Sequence, residues 1–136
     1  MTTKQPIVIA IIQNQQQQIL VAQRQKHQVS PHLWEFPGGK VENTDSDLMA
    51  ALQREIMEEV GVTIIEPIYL FNIPYQYTPD KYLELHVWHV TQFIGKAYGA
   101  EGQIIRWIAI EDLKNYEFPA ANQGILKWLT LALHSS

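Results

Sequence analysis

The stretch REIMEEVG, residues 54–61, sets Glu55, Glu58 and Glu59 at spacings of three and four inside an apolar-striped segment. On a helix, at ~100° per residue, those positions share one narrow face, so the three carboxylates project together. Each like-charged pair costs about 0.2–0.5 kcal/mol, and acids in a last turn also oppose the negative end of the helix dipole. A hard divalent cation would relieve both penalties, because Mg²⁺ takes oxygen ligands and is commonly shared between protein carboxylates and substrate phosphates. The alternative is a solvated acidic face. Two features favour the cation site: the acids occupy the helix end that least favours them, and Gly38-Gly39 just upstream gives a backbone that a ligand can approach closely.

Other residues with chemical potential are more ambiguous. Arg54 can pair with Glu58 one turn on, or hold the carboxylate cluster in a bidentate grip. Glu101, in the loop Tyr98-Gly99-Ala100-Glu101-Gly102, is either merely exposed or a general base on a backbone mobile enough to swing it into place. His86 and His89 lie three apart in an expected strand and face opposite ways, while His27 and His32 have no partner spacing; all four read as structural or exposed. No Ser/His/Asp arrangement is legible, and the glycine pair lacks the lysine-serine continuation of a phosphate-binding loop.

The acid-bearing helix must be held by the elements around it. Its start signals crowd into Thr44-Asp45-Ser46-Asp47, with Thr44 and Asp47 at capping-box spacing, and Gly61 is the expected left-handed terminator. Leu48, Met49, Leu52, Ile56 and Val60 form its apolar side. Residues 7–12 and 19–24 are strand-like, and the polar run QNQQQQ between them, 13–18, reads as a hairpin connection. A strand is expected over 33–36, after which Pro37-Gly38-Gly39 should force a turn. Residues 62–73, 82–93 and 104–110 supply further strands. Ile125, Leu126, Leu129 and Leu133 give helical spacing over 122–133. Strands interleaved with two helices imply an α/β sandwich, and without a repeat or linker a single domain over 1–136 is expected.

Composition limits the partners. The 136 residues include no cysteine, so any metal must sit on oxygen or imidazole. A formal charge of -4 and the lack of a basic run argue against long nucleic acid as a partner. The first residues show neither a cleavable leader nor a bilayer-spanning run, so a cytoplasmic protein with no membrane association is expected.

The stretch GGKVENTDSDLMAALQREIMEEVGV resembles the signature of the Nudix hydrolases: glycine, five residues, glutamate, seven residues, Arg-Glu, an apolar residue, any residue, Glu-Glu, any residue, glycine, an apolar residue. Gly39, Arg54, Glu55, Ile56, Glu58, Glu59, Gly61 and Val62 match. The residue six beyond Gly39 is Asp45 rather than glutamate, and eight residues rather than seven separate it from Arg54. The resemblance implies a Nudix-type α/β/α sandwich with a mixed β-sheet, the signature helix and a C-terminal helix. By family analogy the first glutamate is mostly structural. The departure is therefore expected to alter helix entry, and a variant lacking one residue of 43–46 is expected to stay active.

The likeness extends over nearly the whole chain, through LWEFPGGKVE (33–42), YGAEGQ (98–103) and FPAAN (118–122), to the MutT-type members that clear 8-oxo-dGTP from the nucleotide pool. It implies Mg²⁺, with Mn²⁺ as a substitute, held by Gly39, Glu55, Glu58, Glu59 and Glu101, and catalysis by Glu55, Glu58, Glu101 and Arg54. Substrate would meet Arg24, Glu35, Phe36, Gly38, Gly39 and Asn122, with Tyr75 and Tyr77 as candidate stacking residues. Asn122 would read the oxidised base with an amide that both donates and accepts, unless it simply caps the last helix. The implied reaction is water attack at phosphorus, taking 8-oxo-dGTP or a related nucleoside triphosphate to monophosphate and pyrophosphate in a monomer or homodimer. The alternatives are a Nudix pyrophosphatase for ADP-ribose, a nucleotide sugar or a dinucleoside polyphosphate, and a non-catalytic nucleotide-binding domain, which the intact acid cluster disfavours.

Overall fold

Val8 to Ile12 are apolar at every position, as suits a strand covered on both faces, and in the computed structural model they lie completely or almost completely buried. The structure describes residues 3–28 and 31–133, so the start of the stretch read for targeting, Met1 and Thr2, lies outside the described residues. In chain order the strands are β1 Thr3–Ile12, β2 Gln18–Gln23, β3 Trp34–Glu35, β4 Gly38–Lys40, β5 Thr63–Ile65, β6 Ile68–Thr78, β7 Lys81–Val90, β8 Gln92–Ile94 and β9 Ile105–Ala109. The helices are α1 Leu48–Val60 and α2 Gln123–Trp128. One sheet runs β4-β1-β7-β6, a second β3-β2-β9, and β5 pairs with β8. The first sheet is mixed, since β1 and β7 are parallel while its other pairs are antiparallel.

Alternation along β1 divides the core. Val8, Ala10 and Ile12 pack with Leu52, Ile56 and Val60 of α1, while Ile9 and Ile11 pack with Ile125 of α2 and Leu129. The sheets thus lie between two helices, the α/β/α arrangement expected. Burying a side chain of this size contributes ~1.5–3 kcal/mol, so this double-sided strand anchors both helical layers.

Several local expectations need correction. The run 13–18 does reverse the chain as a hairpin connection, with an antiparallel Gln13–Ile19 bridge and Asn14 N donating to Gln18 O at 3.0 Å, but β1 and β2 then part into different sheets. Both strands are buried on two faces, and diverging lets each fill a different part of the core. Pro37-Gly38-Gly39 is not a turn: Gly38–Lys40 is a strand paired with β1. Here glycine serves close approach, since a Cβ on Gly38 would collide with the Val8 carbonyl. Asp47, not Thr44, caps α1, its Oδ1 accepting from Ala50 N at 2.8 Å. Gly61 ends α1 as expected, at φ 72°. The last helix is shorter and less regular than its spacing suggested, with a 3₁₀ turn Ala120–Asn122 before α2 and a π-helical turn Leu129–Leu133 after it. A 3₁₀ turn, Ile110–Asn115, follows β9 and went unread.

Candidate active site

The acid face of α1 meets β4 because Gly39 has no side chain, for a Cβ there would strike the Glu55 carboxylate. Arg54 then organises the cluster. Its Nε and one amine donate to the two oxygens of Asp45, each at 2.8 Å, and the same amine donates to Lys40 O at 3.1 Å. Its other amine donates to Glu55 Oε1 at 3.0 Å and Glu58 Oε2 at 3.3 Å. Both readings of Arg54 therefore hold, since it pairs with Glu58 and also ties the cluster to its surroundings. The paired guanidinium holds the Asp45 carboxyl down to about 2.

Glu59 lies beside Glu55, and its burial, the hydrogen bond from its own proton to Glu55, and the charges of Glu55, Glu35 and Glu101 push its carboxyl up to about 10. Glu55 is also raised by burial, against the pull of its bonds to Glu59 and Arg54. Two carboxyls sharing a proton form a donor set that a hard divalent cation can take over, and all the donors are oxygen. The residues present fit such an ion. Among the described residues no three acidic or imidazole groups yet converge on one point at ligand distance. Glu58, its side chain 53% exposed, is held outward by Arg54.

Glu55 and Glu59 open into a cleft of about 970 Å³ that Gly38, Gly39, Arg24, Glu35, Phe36, Glu101 and Asn122 also line. Arg54 and Glu58 stand outside that lining. Glu101 is exposed, and its loop is tied to its surroundings by hydrogen bonds. Ala100 N and Gln103 Nε2 donate to Glu59 O at 3.0 and 2.7 Å, and Gln25 Nε2 donates to Glu101 O at 3.1 Å. These bonds join the loop backbone to the end of α1 and to the segment after β2.

On the opposite wall Arg24 donates to Glu35 at 2.8 Å. Burial raises the Glu35 carboxyl although Arg24 counteracts it. Phe36 is mainly core, 4% exposed and stacked on Phe118 at 5.0 Å. Asn122 makes no capping hydrogen bond. It sits at φ -90° and ψ -3°, helical rather than extended, so the capping role is not realised. Tyr75 and Tyr77 line the cleft as well.

His86 and His89 are engaged elsewhere, with Tyr69 Oη and Gln13 Oε1. His27 is exposed as expected, but it lines the cleft. Lys81, Gln25, Gln28 and Gln103 also reach the lining and were missed. Only the third dimension brings them together, because a scattered lysine and three glutamines form no pattern.

The sequence profile described as NUDIX domain matches residues 8–128. An 8-oxo-dGTP diphosphatase of Buchnera aphidicola subsp. Schizaphis graminum is 38% identical over 120 residues, 88% of each chain. A CTP pyrophosphohydrolase of Escherichia coli is 33% identical over 88% of this chain and 87% of its own. A solved MutT structure, from work on the enzymes of Aliivibrio salmonicida and Vibrio cholerae, superimposes with a TM-score of 0.80 at 37% identity, covering 92% of this chain and 95% of that one.

Proposed function

The chain belongs to the NUDIX domain family and is a Nudix hydrolase, and from that premise we propose that it converts 8-oxo-dGTP to the monophosphate and pyrophosphate with Mg²⁺. Glu55, Glu58, Glu59, Glu101 and the Gly39 carbonyl would hold the ion, which supplies charge neutralisation at the phosphates and acidifies water. The water oxygen bonds to phosphorus, its proton passes to a carboxylate of the cluster, and the bridge between the α- and β-phosphorus breaks, releasing monophosphate and pyrophosphate. Arg54 orients the carboxylates from behind, and Arg24 with Glu35 forms the wall opposite. Mn²⁺ should substitute, because the donors are all oxygen.

The observation that carries the reading is that the Asn122 amide, which caps nothing, lines the same cleft as the Glu55–Glu59 pair. An amide donor and acceptor suits the edge of an oxidised purine. Asn122→Ala should lower kcat/KM for 8-oxo-dGTP by roughly 10- to 100-fold, as expected when a polar substrate contact is lost, and lower it less for dGTP. Equal indifference of both substrates would overturn the base assignment.

A second reading follows from the relative named CTP pyrophosphohydrolase, whose identity to this chain is 33% against 38% for the diphosphatase relative. An amide can also pair with a pyrimidine edge, and CTP hydrolysis faster than that of 8-oxo-dGTP would favour this reading.

A further inference from the structure

We infer that the two departures from the signature, Asp45 in place of glutamate and the extra residue before Arg54, compensate for one another, making Asp45 a positioning residue that sets the carboxylate cluster through Arg54. Aspartate is one methylene shorter than glutamate, and an added residue lets the loop bring its carboxylate nearer. The result is a closed fork: Asp45 accepts from Arg54 Nε and from an amine, both at 2.8 Å, with a side chain only 5% exposed. The loop is built around this position. Glu42 N donates to Asp45 Oδ2 at 2.8 Å, and Asp45 N donates to Glu42 O at 3.0 Å.

With Nε and one amine committed to Asp45 and Lys40 O, the remaining amine is aimed at Glu55 and Glu58. Arg54 is thereby fixed at three points: the loop, β4 and its own helix. Removing the loop point frees the guanidinium to rotate about its stem, and the carboxylates lose their common reference. A single deletion in 43–46 is accordingly not harmless, contrary to the expectation from the signature alone. It should become harmless when the side chain lengthens at the same time.

The inference rests on the proposed metal-assisted hydrolysis, and its test has readouts independent of turnover. Ser46 is exposed, and deleting it while changing Asp45→Glu restores the signature spacing. The wild type, Asp45→Glu, the Ser46 deletion and the combined variant form a cycle. It is read by Mn²⁺ affinity of the substrate-free protein, by thermal midpoint without metal, and by kcat and KM. Each single change should weaken Mn²⁺ binding about tenfold and lower kcat with little change in KM, the scale expected on disturbing an outer partner of a ligand. The combined variant should return to within about threefold of wild type, since the outer contact is restored.

Additive losses in Mn²⁺ affinity would overturn the compensation. Midpoints that fall while Mn²⁺ affinity and kcat stay constant would overturn the positioning role and leave a merely structural one. Absence of Mg²⁺-dependent turnover in the wild type would instead defeat the functional reading, while the Mn²⁺ and stability cycles would still decide the compensation.

Discussion

Glu59 is the residue whose state depends most on what occupies the site. Without metal the folded protein keeps a proton on Glu59, raised to about 10 from its ordinary 4.5, whereas the unfolded chain releases it near 4.5. Between those values the folded state binds more protons, so this group's contribution is fully present below 4.5 and is lost as pH climbs toward about 10. Metal-free wild type should therefore lose stability against Glu59→Gln as pH rises from 5 to 9, measured as the difference in thermal midpoints. A constant difference would contradict the shared proton. Glu58→Gln should lower kcat at least about tenfold, because it removes a carboxylate proposed to hold the ion and also a partner of Arg54. Unchanged hydrolysis would remove Glu58 from the machinery. Glu55, Glu58, Glu59 and Arg54 were legible because helix geometry turns spacing into proximity. Lys81 and Gln103 were not, because they reach the cleft from separate segments.

At the scale of elements, α1 is legible in the sequence and its surroundings are less so. Capping at Gly61 and the buried stripe of Leu52, Ile56 and Val60 follow from local rules. Gly38-Gly39 misled because a turn and a close approach ask for the same residue; only the neighbour, Val8 or Glu55, distinguishes them. Gly39→Ala should leave a folded protein with kcat reduced at least about tenfold, since the added methyl pushes the Glu55 carboxylate aside. Wild-type turnover in that variant would refute the packing argument. Asp47→Ala should cost about 1 kcal/mol of stability through loss of the α1 cap, read by denaturant unfolding, with smaller effects on kcat. The capping alternative for Asn122 is natural because asparagine beside a helix is ordinarily a cap, but its side chain makes no cap hydrogen bond and a 3₁₀ turn precedes α2.

For the whole molecule, the α/β/α layering was legible from alternating strands and helices, but the partition of strands into sheets was not. A parallel β1–β7 pairing joins segments far apart in sequence, and local periodicity carries no information about it. That pairing brings the β1 and β7 wall of the cleft into one surface, with Ile7, Ile9, Leu83 and Leu85 facing the space beside Glu55 and Glu59. Among the described residues no helix is long and apolar enough to cross a membrane. A net charge of -4 fits a small nucleotide brought in with its cation better than a nucleic-acid chain. The most direct measurement is pyrophosphate release by the wild type from 8-oxo-dGTP, dGTP and CTP, each with Mg²⁺ and with chelator. The expected result is release that requires Mg²⁺ and is fastest, by kcat/KM, for 8-oxo-dGTP. Hydrolysis that persists in chelator, or that favours dGTP or CTP over the oxidised nucleotide, would contradict it.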